Sequence, residues 1–104
     1  MQRLHHILRS SRGLITFEAA ARTGSFTRAA EELGMQQPSV SAAIKQLETS
    51  LGVPLFLREH RRVELSTAGR RLYADLSGPL SEMENALQRI EEQGRQTHVT
   101  ISTS

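Results

Sequence analysis

Between residues 36 and 45 the chain lines up Gln36, Gln37, Pro38, Ser39, Ser41 and Lys45, side chains suited to hydrogen bonding with a flat polar partner. The amide of Gln37 offers a donor beside an acceptor, the arrangement that pairs with N6 and N7 of adenine. Ser41 follows one helical turn later and Lys45 about two. The hydroxyl then reaches a base edge or a phosphate, and the ammonium is better placed for backbone phosphate. Pro38 and Ser39 stand beside Gln37, where they can touch a thymine methyl or a phosphate. A second cationic group, Arg58, Arg61 and Arg62, lies in the segment Arg58-Glu59-His60-Arg61-Arg62. Its guanidinium groups suit a narrow, electronegative minor groove, with Arg61 the leading base-edge candidate and Arg58 and Arg62 its backbone neighbours. Ser25, Thr27, Arg28 and Gln36 are further candidates for phosphate contact, the first three at the start of a helix whose positive end favours anions.

Other chemistry finds little support. The chain of 104 residues has no Cys, which excludes a disulfide scaffold and a thiolate metal site. The four histidines are His5, His6, His60 and His98, and adjacent His5 and His6 point to different sides of any helix. The carboxylates fall mostly on outward helical faces, without the apolar cleft that acid–base catalysis demands. The expectation is therefore no enzyme, no metal and no cofactor in this chain. The longest apolar run is Val53 to Leu57, far short of the ~20 residues of a spanning helix. Arg9 and Arg12 interrupt the only stretch that could serve as a signal-peptide core, so a cytoplasmic protein with no membrane partner is expected.

Charge is unevenly spread. Residues 1–71 carry 11 basic and 6 acidic groups, a net of +5, whereas residues 72–104 carry 2 and 5, a net of −3. A basic head joined to an acidic tail suggests a head that meets phosphate. Twelve of the 13 cations are Arg, which favours bidentate contacts, although codon usage produces the same bias.

The elements that would position these groups can be read from periodicity. Residues 1–10 show no clear period and are expected as an irregular arm or an added half-turn. Ser10 or Ser11 caps a first helix carrying Leu14, Phe17 and Ala21 on one face, ended by Gly24. Ser25 caps a second, with Phe26, Ala29, Ala30 and Leu33 on one stripe and Arg28, Glu31 and Glu32 facing water; Gly34 closes it. After a tight turn, Pro38 occupies the first turn of a third helix that runs to Gly52. Val40, Ile44, Leu47 and Leu51 fall in one narrow arc of it, opposite Pro38, Ser41, Ala42, Lys45 and Thr49. VPLFL, entered through Pro54, and Val63 to Leu65 read as strands of a hairpin with a cationic tip. Ser66 or Thr67 then caps a long helix. In it Ala68, Leu72, Leu76, Leu80, Met83, Leu87 and Ile90 recur at spacings of 4, 4, 4, 3, 4 and 3. Gly78-Pro79 predicts a kink and Gly94 an end. The closing HVTISTS alternates like a strand without a neighbour.

Two short helices joined by a glycine turn, the second polar outward, describe a helix-turn-helix, and the hairpin adds a wing. The expected fold is mainly α: a winged helix-turn-helix of three helices and a two-stranded wing over residues 11–65, then a linker or dimerisation helix over 66–93. On these residues the sequence resembles the N-terminal domain of LysR-type transcriptional regulators, from about Leu14 to Ile90. The resemblance is carried by Gly-Ser-Phe-Thr-Arg-Ala-Ala, the Gln-Pro of the third helix, Leu-Glu followed by Leu-Gly-Val-Pro-Leu-Phe, and Thr-Ala-Gly at the start of the linker helix. It implies a homodimer formed through Leu72, Leu76, Leu80, Met83, Leu87 and Ile90, whose heads read two half-sites of an inverted repeat in double-stranded DNA. It implies a tetramer in a full-length protein, and a C-terminal domain, absent here, that binds a small-molecule inducer. Residues 94–104 would be the stub of that domain. Many such relatives carry a long basic side chain just after the serine of the third helix; here the position is Ala42, which leaves more to DNA shape.

Each candidate has a plainer reading. Gln37 could simply cap its helix, and Ser25 is an N-cap whether or not it meets phosphate. Arg61 and Arg62 could be a solvated loop, and Arg58 could pair with Glu59 or Glu64. Arg70 and Arg71 read as surface residues. The leucine stripe could fold back on its own head, although its length argues for a partner helix. The rival function is a winged-helix protein-interaction module without sequence-specific DNA binding.

Overall fold

The computed structural model describes residues 2–57 and 63–103, with side chains described for 11–57 and 63–96. Its elements are α1 (Gln2–Thr23), α2 (Phe26–Leu33), α3 (Gln37–Leu51), β1 (Phe56–Leu57), β2 (Glu64–Leu65) and α4 (Thr67–Thr103). They fall into two compact units, Met1–Ala74 and Asp75–Ser104. Among the described residues no helix is long and apolar enough to cross a membrane.

In the first unit α1, α2 and α3 pack against one another. Val40, Ile44 and Leu47 of α3 are buried as their period requires, against a core containing Phe17, Ala19, Ala20, Ala29 and Ala30. Small residues let the helices close up: at Gly13 a Cβ would stand 3.1 Å from Leu47 Cβ, a tight contact at the point where α1 crosses α3. The chain's three phenylalanines meet in this core. The Phe56 ring lies edge-on to Phe17 and Phe26, with centroids 5.5 and 5.3 Å apart.

Several expectations need correction. α1 begins at Gln2, so the first ten residues are not an irregular arm, and Ser10 and Ser11 lie inside the helix without capping it. The period there is weak, but helical backbone satisfies its own hydrogen bonds without an apolar stripe. Leu51, at the end of α3, is 44% exposed, and the buried position near it belongs to Glu48. The strands are shorter than VPLFL and Val63–Leu65 suggested: two residues each, antiparallel, with Phe56 opposite Leu65 and Leu57 opposite Glu64. α4 continues through Pro79, as expected of a proline that does not stop the helix, but it passes Gly94, the expected end, and runs to Thr103. HVTISTS is accordingly helical up to Thr103, because a lone strand would leave its amides unpaired, whereas a helix pairs them locally.

Glu48 explains how the hairpin is attached. Its Oε2 accepts from the backbone N–H of Leu55 at 2.7 Å and of Phe56 at 3.3 Å. The next attachment is Ser66, whose N–H donates to Leu55 O at 2.9 Å while its hydroxyl donates to Pro54 O at 2.7 Å. Ser66 Oγ also accepts from Gly69 N–H at 3.0 Å, which makes Ser66 the cap of α4. Gly69 passes so close to the hairpin that a Cβ there would stand 2.1 Å from Leu55 O.

On the surface, Arg22 of α1 bridges Glu18 and Glu32, tying α1 to α2. The hydrogen bonds to Glu32 and then Glu18 raise the Arg22 pKa further, and the hydrogen bond from Arg22 lowers that of Glu32.

Two outcomes follow. Glu48→Ala strands two buried N–H groups and should lower stability by about 3 kcal/mol, whereas Glu48→Gln, which keeps an acceptor, should cost about 1 kcal/mol; urea unfolding midpoints check both. Because Glu32 is more acidic in the folded chain, its contribution is complete above the ordinary value of 4.5 and is lost as pH falls through the lower folded-state value. Solvent screening at this exposed pair holds the contribution to about 0.5 kcal/mol. The stability difference between Glu32→Gln and the parent chain should vanish at the acid end of a urea titration series.

Candidate nucleic-acid interface

The turn between α2 and α3 sets the geometry of the candidate site. Gly34 adopts φ 65°, in the left-handed region where a side chain is strained, and Met35 N–H donates back to Ala30 O at 2.9 Å. Gln36 then takes an extended conformation as N-cap of α3, without a side-chain capping bond, and Pro38 sits in the first turn. Gln37 is thus the first helical residue and not the cap. Its amide is engaged elsewhere: Nε2 donates to Ser41 Oγ at 3.1 Å.

From this start α3 divides its circumference. Val40, Ile44, Leu47 and Glu48 are buried, while Gln36, Gln37, Pro38, Ser39, Ala42, Lys45, Gln46 and Thr49 are exposed and Ser41 is half-buried. A shallow groove along the helix is lined by Ser41, Ala42, Lys45, Gln46, Thr49 and Ser50. Its lining has no carboxylate, and Lys45 is its one charged residue, so the face offers short hydrogen-bonding side chains and a single positive charge. The structure therefore brings Gln36, Gln37, Pro38, Ser39, Ser41 and Lys45 onto one helix and one turn, outward of the core. Thr49 joins them on the face where the helical period had placed it, and Gln46 and Ser50 extend that face; their position in the helical period was the signal. Thr49 spends its hydroxyl on Lys45 O at 3.0 Å.

Ser25, Thr27 and Arg28 stand at the start of α2, Thr27 and Arg28 exposed. Ser25 is the N-cap: Oγ accepts from Arg28 N–H at 3.1 Å. Its hydroxyl proton remains available to an acceptor such as phosphate. Arg58, Arg61 and Arg62 lie outside the described residues.

In α4, Leu72, Leu76 and Leu80 are half-buried, while Met83, Leu87 and Ile90 are 59, 63 and 66% exposed. The spacing of Met83, Leu87 and Ile90 leaves an uncovered apolar stripe on this part of the helix.

These features, three packed helices with a left-handed glycine turn, a short antiparallel hairpin and a polar helix face turned outward, are those of a winged helix-turn-helix. Residues 11–70 match the model of the bacterial regulatory helix-turn-helix proteins of the LysR family. The chain belongs to that family. It is 46% identical over 78 residues to the transcriptional regulator DsdC of Escherichia coli, covering 75% of this chain and 25% of DsdC. To the RuBisCO operon transcriptional regulator of Allochromatium vinosum it is 44% identical over 84 residues, covering 78% and 28%. The chain thus spans about a quarter of the length of these curated relatives. Among solved structures, an OxyR mutant of Corynebacterium glutamicum superposes with a TM-score of 0.69 at 36% identity, over 78% of this chain and 26% of that one. The BenM DNA-binding domain in complex with catB site 1 DNA gives 0.69 at 32% identity, over 78% and 90%. LysR-family membership places α2 and α3 as the two helices of the motif and β1–β2 as the base of its wing.

Removal of the α2 cap should be felt locally. Ser25→Ala is expected to lower stability by about 1 kcal/mol, with Ser25→Gly much closer to the parent, in thermal unfolding.

Proposed function

We propose that this chain is the DNA-reading part of a LysR-type transcriptional regulator, acting as a homodimer on an inverted repeat. The observation that carries the reading is the division of α3: an apolar side locked into the core and a polar, carboxylate-free side turned out along a helix narrow enough to enter a major groove. In this reading Gln37 is the principal base reader, with Pro38, Ser39 and Ser41 beside it. Gln36, Lys45, Ser25, Thr27 and Arg28 hold phosphates. Arg61 reads the adjacent minor groove from the wing, flanked by Arg58 and Arg62 on the backbone. The stripe Leu72, Leu76, Leu80, Met83, Leu87 and Ile90 pairs with the same stripe of a second copy, which is what its exposure and its spacing of three and four support. Two heads joined this way would address half-sites about 34 Å apart or a multiple of it. The inducer of such a regulator binds outside this chain, and assembly into a tetramer belongs to the longer protein. Residues 1–10 would extend the head and 94–104 would lead toward the effector-binding part.

A binding selection on random duplexes tests the reading and should return an inverted repeat. Affinity should fall steeply with salt, and Lys45→Ala should reduce the slope of log affinity against log salt by about one phosphate contact. Gln37→Ala should instead relax preference at a single base pair per half-site, by about 1–3 kcal/mol. A chain that stays monomeric and binds no duplex at low ionic strength would refute the proposal.

A further inference from the structure

The hydrogen bond from Gln37 Nε2 to Ser41 Oγ, 3.1 Å long, joins two residues one turn apart on α3. The partners are unequal. Gln37 is exposed and swings on a long side chain, whereas Ser41 is half-buried and has one rotatable bond, so the serine is the stiffer post. The next residue, Ala42, brings no polar group to compete for the amide.

We propose that Ser41 is a positioning residue that holds the Gln37 amide in one rotamer before DNA arrives, so that discrimination at the base pair read by Gln37 depends on Ser41 through Gln37. The inference rests on Gln37 being the base reader and deepens it. The hydrogen-bond count permits both contacts: Nε2 carries two N–H bonds and pairing with adenine N7 uses one, while the carbonyl oxygen accepts from adenine N6. One N–H therefore remains for Ser41. The benefit is preorganisation, because a long side chain that must be immobilised on binding forfeits roughly two- to tenfold in affinity. That loss falls on the correct base pair and so reads out as specificity. In this role Ser41 acts through Gln37 in place of the direct base contact assigned to it above, and its preference for serine over alanine comes from its oxygen as an acceptor.

The test is a double-mutant cycle on the intact chain. A duplex obtained by selection, and variants of it changed at each base pair, are titrated with the parent, Ser41→Ala, Gln37→Ala and the double variant, with circular dichroism confirming equal helix content. Ser41→Ala should lower discrimination about fivefold at the base pair that Gln37→Ala affects, leave the salt slope unchanged, and have no further effect once Gln37 is alanine. If Ser41→Ala still weakens binding in the Gln37→Ala background, Ser41 touches DNA itself and the positioning role is overturned while the base reader stands. It is equally overturned if Ser41→Ala keeps full discrimination where Gln37→Ala has lost it. Should Gln37→Ala retain full preference, the base reader and its support fall together.

Discussion

The backbone N–H groups of Leu55 and Phe56 enter the interior of the first unit and are received there by one carboxylate oxygen, Oε2 of Glu48. An amide buried without an acceptor is expensive, and a charged acceptor is the strongest available, so this contact sets where the chain after α3 can run. With Leu55 and Phe56 fixed, the Phe56 ring is delivered to Phe17 and Phe26, which locks α1 and α2 onto the same point. The carbonyls of Pro54 and Leu55 are then in place for Ser66, and Ser66 starts α4. The close approach at Gly69 closes this chain of contacts. The helix that presents the candidate interface thus also carries, on its buried side, the group that organises the wing.

This economy of one helix serving two purposes constrains which residues α3 can use. The positions on its inner arc must be apolar or fully hydrogen-bonded, and Glu48 qualifies only because two backbone donors meet it. Those on the outer arc are short or polar, which keeps the helix slim along the groove from Ser41 to Ser50. Ala42 is part of that slimness. At that position the chain presents only a methyl group, and the polar side chains of the N-terminal turn lie around Gln37.

The second unit obeys a different rule. Its apolar residues repeat at three and four along a single helix and stay in contact with water among the described residues. Exposed apolar area at that regularity is of the kind that a second helix of matching period can cover.

What the linear chain determined by itself is where helices start and stop and which of their faces turn inward, properties set by neighbours within one turn or one period. The helix start at Ser25 and that at Ser66 or Thr67, the glycine ends at Gly24, Gly34 and Gly52, the buried set Val40, Ile44 and Leu47, and the outward polar face of α3 were all legible, because capping, φ preference and amphipathicity are local properties. Weakly periodic stretches misled: the first residues of α1 and the segment beyond Gly94 looked irregular or extended, yet are helical. Only the tertiary structure decided which carboxylate is buried, which residue Gln37 bonds to, and that Arg22 joins Glu18 to Glu32. Those outcomes depend on the approach of segments up to ten residues apart and on competition among several possible partners. A chain read in order does not contain the distances that settle such a competition.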